Sequence, residues 1–503
     1  MTKDHPSRRQ LLTSGAAATA TLGLTGLGTA PAAHADDDTA RVPATLSGRG
    51  GSMIGVPFER HEEVRVGIIG LGARGTGMSE LWAAVPGVRV TAICDSRAER
   101  VHAVAASLVA AGHPEPAKYI GGDPSYEAAQ EASRRARSGK DVDMPYVRLC
   151  ARDDVDFVYS PTPWEWHFPT AMTAMRHGKH VGTEVPLAMD LSHLWHLVAM
   201  SERTRRHCLM MEQIGYSQNE MRLLRMAHEG VFGDLLHGAG AYIHDLRSYL
   251  FGLGPEYYPQ GWRRLWHTRM DGNLYPTHGL VPIAGMMDLN RGDRFTTISS
   301  SSSPSLGLQA YRAANVPPDH ESWDETYLTG DRNICLLSTA KGRLIRVEHD
   351  VTTPHPYSRL NFLAGTKGLF EDFPPRVYLE PDMNNDEWGD FDDYAEYDHW
   401  LWQDVGGGGG GHGGSDYISL WRLAQTMRLG LVPDMDVYDG AAWSAATPLS
   451  AESLKRGGQP VKVPDFTRGH WEEYRPGFDS SRPEDEENVG ASMRRLAAGR
   501  AGR

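Results

Sequence analysis

Val64-Arg65-Val66-Gly67-Ile68-Ile69-Gly70-Leu71-Gly72-Ala73-Arg74-Gly75 is an apolar run that ends in the pattern G-x-G-x-x-G. Residues 64–70 read as a buried strand, because the apolar positions are continuous, and residues 76–84 read as a helix. A second apolar run, residues 88–95, ends in Asp95, 20 residues beyond Gly75. Glycines alone are weak evidence, but strand, helix and acid at this spacing describe a dinucleotide-binding turn. Gly70 permits the tight turn, Gly72 lets the backbone approach a pyrophosphate, and Gly75 lets helix and strand pack closely. The pyrophosphate would sit at the positive end of the helix. Asp95 would accept hydrogen bonds from ribose hydroxyls and repel a 2′-phosphate, which favours NAD over NADP.

Outward from this turn the alternation continues. A helix is expected over 98–111, strands over 155–160, 180–184 and 208–212, and helices over 169–177 and 191–203. Such alternation implies a doubly wound parallel sheet, an α/β Rossmann domain over residues 64–230. Residues 112–145 hold Pro114, Pro116, Gly121 and Gly122 and read as an insertion at the periphery of that sheet. Beyond Val231 the segments 235–246, 295–301, 327–337 and 344–351 are longer and strand-rich. They predict an α+β domain over 231–475 with a mostly antiparallel sheet. The tract Gly406–Gly411, followed by His412-Gly413-Gly414, reads as a mobile low-complexity loop. A linker over 36–63 and a charged tail over 476–503 complete the layout.

The 503 residues carry 51 basic and 64 acidic side chains, a net charge of −13. An acidic surface repels phosphate backbones, so nucleic-acid binding and adhesion to anionic membranes are disfavoured and small-molecule enzymology leads. Cys94, Cys150, Cys208 and Cys335 are scattered, so neither a metal site nor a disulfide framework is expected. At the N-terminus, Ser7-Arg8-Arg9-Gln10-Leu11-Leu12 precedes a weakly apolar stretch that ends at Ala33-His34-Ala35. That order is a signal peptide over residues 1–35, and its h-region is poor material for a spanning helix or stable anchor. The paired arginines before Leu-Leu resemble a twin-arginine signal, whose pathway exports folded proteins. The expectation is a protein handled by the twin-arginine translocation machinery and delivered to the periplasm or the exterior, with homo-oligomerisation left open.

Two further places carry chemistry. The strand over 155–160 runs into Pro161-Thr162-Pro163-Trp164-Glu165-Trp166-His167, and that over 180–184 into Val185-Pro186, both where strand ends meet the ligand crevice. This layout resembles the glucose–fructose oxidoreductase/inositol dehydrogenase-like superfamily, where the second place commonly reads Glu-Lys-Pro with the lysine near the reacting alcohol. Here it reads Glu184-Val185-Pro186, which weakens a simple dehydrogenase reading. Farther on, Tyr275 and His278 stand three residues apart in a Gly/Pro-bounded segment. On the first turn of a helix they would share one face and reach one bound hydroxyl. The alternative is a loop tyrosine beside a structurally bonded histidine.

Longer strings identify the chain more narrowly. Residues 231–236 and 241–247, Gly272 to Gly279, Asn290-Arg291-Gly292-Asp293-Arg294, His355-Pro356-Tyr357-Ser358-Arg359, Gly411-His412-Gly413-Gly414 and Asp436-Val437-Tyr438-Asp439 resemble glycoside hydrolase family 109. That family contains NAD-dependent α-N-acetylgalactosaminidases. The resemblance implies that Gly70, Gly72, Ala73, Arg74, Gly75 and Asp95 hold NAD, with Trp164, Glu165, Trp166 and His167 on its nicotinamide side. Glu184, Val185 and Tyr275 would also touch it, as would Gln213, which stands where the family usually has Asn. Tyr242, Arg263, Tyr275, Pro276, Thr277, His278 and Tyr357 would surround the sugar. It also implies oxidation at C3 of the sugar, loss of the C2 proton, elimination at C1, addition of water and reduction back, with no outside redox partner. In that scheme His278 is the acid–base group, Tyr275 and Tyr357 are proton relays or orienting donors, and Arg263 steadies charge on O3. A plain sugar or cyclitol dehydrogenase and a non-catalytic sugar-binding protein are the competing readings.

Overall fold

In a computed structural model of the protein, six short parallel strands form the first sheet. The structure describes residues 50–473 apart from 256, 382–385 and 407–409, together with 475, 477, 478 and 482. The expected signal segment, residues 36–49 of the linker and most of the charged tail lie outside the described residues.

The strands are β1 (Val64–Ile69), β2 (Val88–Asp95), β3 (Ala117–Ile120), β4 (Phe157–Ser160), β5 (His180–Thr183) and β6 (Cys208–Met210), in the order β3-β2-β1-β4-β5-β6. They are apolar at consecutive positions because both faces are covered. Val66, Ile68 and Phe157 join one buried cluster, whereas Ile69, Val158 and Val181 join the other. The order reverses between β1 and β4, and this reversal opens the crevice at their C-terminal ends.

Residues 112–145 are more than a peripheral insertion. They contribute β3, which pairs with β2 from Ala92↔Ala117 to Asp95↔Ile120 and forms the edge of the parallel sheet. Only alternate β3 positions are half-buried, so no continuous apolar run announces the strand. The helix Tyr126–Arg137 then packs on the helix Trp164–Arg176 through Ala129, Ala132 and Ala136. The latter helix begins at Trp164, not at residue 169, because extended Pro163 caps it and Pro169 is accommodated inside it.

The second sheet contains β7 (Leu235–Ile243), β8 (Phe295–Ser302), β9 (Asn333–Thr339), β10 (Leu344–Asp350), β11 (Phe362–Gly365), β12 (Gly368–Glu371), β13 (Arg376–Leu379), β14 (Gly389–Asp390) and β15 (Val461–Lys462). Its order is β14-β13-β12-β11-β7-β10-β9-β8-β15, antiparallel except where β7 meets β10. The strand expected from residue 327 starts at Asn333. Before it, Thr329 donates to the carbonyl of Met270 at 2.7 Å, which ties that stretch to a loop rather than to the sheet.

The helix Thr277–Met286 lies directly on β7. A Cβ at Gly240 would come within 2.0 Å of the Gly279 carbonyl oxygen, and one at Gly279 within 2.2 Å of the Ala241 nitrogen. Glycine at both positions lets the two backbones touch, and this contact carries His278 to the sheet beside Tyr242. All four cysteines are buried and free, and among the described residues no helix is long and apolar enough to cross a membrane.

Candidate active site

A cavity of about 570 Å³ lies at the C-terminal edge of the parallel sheet and is closed from the other side by the second half of the chain. Its Rossmann side is made by Gly70, Gly72, Ala73, Arg74 and Asp95, and its far side includes Tyr242, Arg263, Tyr275 and His278.

The Rossmann side fits a dinucleotide. Gly70 adopts φ +99°, and a Cβ at Gly75 would stand 1.9 Å from the Gly70 carbonyl oxygen, so only glycine lets the helix close on the turn. Above Gly72 the nearest atom to an added Cβ is 3.9 Å away, which leaves room for a pyrophosphate against the backbone. The helix Ala73–Ala84 has no side-chain cap and no acid in its first turn, so its N–H groups and positive end are available to an anion. Asp95 accepts the Leu71 N–H at 2.6 Å and the Arg97 N–H at 2.9 Å, and its carboxylate faces the cavity, fixed for ribose hydroxyls. Gln213 lines the same cavity and its buried Oε1 has no partner among the described residues, so it can accept from a bound amide or hydroxyl.

Arg74 is less free than the resemblance implies. Its Nε donates to Glu184 at 2.9 Å, and its two terminal nitrogens form a 2.8 Å fork with Asp416. Glu184 also accepts from Tyr159. His167 bridges the two crevice loops, with Nδ1 2.7 Å from the Pro186 carbonyl and Nε2 2.9 Å from that of Thr162. Glu165 accepts from the Trp266 indole at 3.0 Å, and burial pushes its carboxyl above the ordinary range. Val185 lines the cavity, whereas Trp166 turns away and donates to the Pro124 carbonyl at 3.0 Å.

On the sugar side the central charge is Arg263. Its guanidinium lies over the rings of Tyr275, Trp164, Tyr258 and Tyr242, 4.6, 5.1, 5.2 and 5.5 Å from their centroids. One nitrogen donates to the Tyr258 hydroxyl at 2.9 Å, while Nε and Nη2 have no hydrogen-bond partner among the described residues. A buried cation whose neighbours are π-faces and phenols is available to an anionic oxygen. Behind it His267, pushed down to about 3 by burial, and His349, held well below the ordinary imidazole value by its burial, stay neutral and add no competing positive charge.

His278 is bonded through Nδ1 to both oxygens of Glu212, at 2.8 and 2.9 Å. The carboxylate holds the proton on Nδ1 and leaves the Nε2 lone pair beside the Tyr275 hydroxyl, 3.5 Å away. Burial raises the Tyr275 phenol well above its ordinary value, so it remains a donor. Tyr275 itself precedes the helix, and His278 occupies its first turn. Pro276 and Thr277 are buried and do not line the cavity. Tyr357 also stands outside it, 37% exposed, its ring 6.2 Å from Tyr242 and its hydroxyl bonded to Arg359.

Sequence reasoning did not single out two groups. In the sequence Glu212 stands at the end of an apolar strand run, with nothing nearby to mark it. His412 sits in a glycine tract, yet it lines the cavity with Nδ1 2.8 Å from Asp416. Burial would raise the Asp416 carboxyl, but His412 and Arg74 hold it well below the usual carboxylate range. The i,i+4 spacing of His412 and Asp416 was the signal available in the sequence.

Residues 216–473 match the family model "Glycosyl hydrolase 109, C-terminal domain", and residues 64–212 match "Oxidoreductase family, NAD-binding Rossmann fold". A glycosyl hydrolase family 109 protein of Streptomyces niveus is 55% identical over 455 residues, 90% of this chain and 87% of that one. One of Saccharopolyspora erythraea is 54% identical, over 95% of this chain and 97% of that one. The chain belongs to glycoside hydrolase family 109. As a family 109 enzyme it uses NAD and acts on a sugar-like substrate. Solved structures share the fold of the family 109 chain at low identity. Scyllo-inositol dehydrogenase of Lactobacillus casei with bound NAD(H) and scyllo-inositol superposes with TM-score 0.54 and 12% identity, covering 80% of this chain and 99% of that one. Levoglucosan dehydrogenase in complex with NADH gives 0.56 and 16%, covering 80% and 100%.

Asp95→Ala removes a charged acceptor for ribose hydroxyls and the anchor of the Leu71 N–H. It should weaken NAD retention about 10- to 100-fold and relax discrimination against NADP. Nucleotide content after denaturation, with titration of both nucleotides, checks this.

Proposed function

We propose that this family 109 enzyme releases terminal α-linked N-acetylgalactosamine from glycans by oxidation, elimination, addition of water and reduction. The observation that carries the reading is a pair of imidazole–carboxylate dyads, His278–Glu212 and His412–Asp416, on one cavity with the Arg263 guanidinium. NAD, when bound, supplies reversible hydride transfer at C3 of the sugar, which acidifies the C2 hydrogen while C3 is a ketone.

His278 Nε2 then takes the C2 proton, and Glu212 steadies the imidazolium that results. Arg263 offers two N–H groups to the oxygen that becomes negative at O3. As the C1–O bond breaks, the departing oxygen needs a proton. His412 Nε2 supplies it, with Asp416 holding the ring, and then draws a proton from the water that adds to C1. His278 returns its proton to C2, the O3 proton released to solvent on oxidation is regained from solvent as the hydride returns to C3, and both imidazoles end as they began.

Ordinary paired-carboxylate hydrolysis finds less support. Glu165 and Glu184 line the cavity but are bound to Trp266 and to Arg74 with Tyr159. Glu321 is exposed and paired with Arg264, and Asp324 is exposed as well. A simple dehydrogenase also finds less support, since among the described residues no lysine lines the cavity. The identity of the sugar rests on the family resemblance. Incubation with p-nitrophenyl α-N-acetylgalactosaminide, with and without added NAD, tests the reading. Aglycone release without net NADH supports it, whereas NADH accumulating with free sugar overturns it.

We also propose export through the twin-arginine pathway, which would let NAD be inserted before the folded enzyme leaves the cytoplasm. Lysine at both Arg8 and Arg9 should leave precursor in the cytoplasm, because Sec needs only positive charge there. Normal export of that double variant would sink the idea.

A further inference from the structure

Tyr257 leaves aromatic surface open at the cavity, 45% exposed, and its neighbour Tyr249, which does not line the cavity, is 37% exposed. Tyr257 is a lining residue of the cavity as well as an exposed one, so it stands at the mouth. Its ring meets Tyr249 at 5.4 Å and Tyr258 at 4.9 Å between centroids. Tyr258 is buried, and its hydroxyl accepts from Arg263. A path of rings therefore leads from the guanidinium that faces the reacting sugar, through Tyr258 and Tyr257, to solvent at Tyr249.

Core packing accounts for Tyr258 but not for its two neighbours. Exposed rings clustered at a site entrance mark a surface that something covers. Tyrosine suits a sugar there: its electron-rich face attracts the weakly positive C–H face of a pyranose, and its hydroxyl stays wet. A terminal sugar bound with C3 toward Arg263 and C2 toward His278 would direct its C1 substituent toward the cavity mouth, where Tyr257 stands. Tyr357 and Phe373 are also exposed aromatic side chains on this side of the molecule, but neither lines the cavity.

We propose that Tyr257, backed by Tyr249, forms a binding subsite for the saccharide unit on the far side of the scissile bond. The proposal rests on the glycosidase reading above. It makes Tyr257 a determinant of which glycan is cleaved, acting apart from the residues that do the chemistry.

The test compares methyl α-N-acetylgalactosaminide, which has no second ring, with a disaccharide in which the same sugar is α-linked to galactose. Tyr257→Ala should lower kcat/KM for the disaccharide about three- to tenfold more than for the methyl glycoside, mainly through KM, and Tyr257→Phe should restore it. Tyr249→Ala should act in the same direction with a smaller ratio. Bound NAD, measured after denaturation, should be unchanged in all three variants. Equal losses on both substrates, or none, overturn the subsite. Calorimetric titration of the NAD-loaded protein with the same two glycosides separates this from failure of the glycosidase reading. Tighter disaccharide binding that Tyr257→Ala abolishes, without cleavage in the native protein, keeps the subsite and overturns hydrolysis. No preference for the disaccharide in native binding overturns the subsite itself.

Discussion

His278→Ala should lower turnover about 10²–10⁴-fold while NAD stays bound. The size follows from the step at stake. A carbon acid beside a ketone loses its proton slowly unless a base is already held against it, and on the proposed route His278 Nε2 would be that base. Glu212 occupies the other nitrogen and is fixed in turn, accepting the Ile214 N–H at 3.0 Å. Among the described residues neither His278 nor Glu212 bonds to the Gly70–Gly75 turn, so nucleotide content should be that of the native protein. Glu212→Gln keeps the shape and removes the charge that stabilises the imidazolium, and it can also favour the wrong tautomer. A loss of about 10²–10⁴ in kcat with KM little changed is expected, together with an altered pH–rate profile. Nitrogen NMR of the imidazole should show the proton leaving Nδ1 in that variant. Full activity in His278→Ala would remove the imidazole from the chemistry and leave Tyr275 as the group to examine.

The dinucleotide half of this site was legible because its information is local. An apolar strand, three glycines and a strand-end acid lie within one β-strand–helix–β-strand unit, and each residue type has a steric or charge reason to be there. The sugar half depends on contacts that sequence spacing hides. Glu212 is 66 residues from His278 along the chain, and at the end of an apolar run it reads as an ordinary strand terminus. Packing of the helix Thr277–Met286 both on residues 213–216 and, through the Gly240–Gly279 approach, on β7 brings the two together. His412 was hidden differently. Its glycine neighbours suggest a featureless loop, but Gly413 and Gly414 take positive φ, and Gly411 leaves space for Asp416, whose carboxylate a Cβ would meet at 2.5 Å. β3 escaped notice because an edge strand with half its residues exposed has no continuous apolar signal. The antiparallel character of the second sheet was readable, but its parallel β7–β10 pairing was not, since register between distant strands is set by packing.

Hydrolysis in D₂O should place deuterium at C2 of the released N-acetylgalactosamine. Displacement at C1 by paired carboxylates never touches that bond, whereas the elimination route breaks and remakes it in every turnover. On the proposed route the proton taken from C2 would reside on His278 Nε2, which faces a cavity open to solvent, and the proton returned would come from that exchanged imidazole. Product recovered early in the reaction should therefore carry close to one deuterium at C2, while unreacted glycoside carries almost none if elimination outruns reprotonation. A substrate already deuterated at C2 should react more slowly where proton removal limits the rate, and one deuterated at C3 where oxidation does. His278→Ala should reduce labelling and hydrolysis together, because both pass through the same nitrogen. His412→Ala should separate them: with the leaving oxygen unassisted, C2 exchange into unreacted glycoside should rise as cleavage falls. Complete retention of the original hydrogen, with no isotope effect at either carbon, would falsify the elimination route and return attention to Glu165 and Glu184.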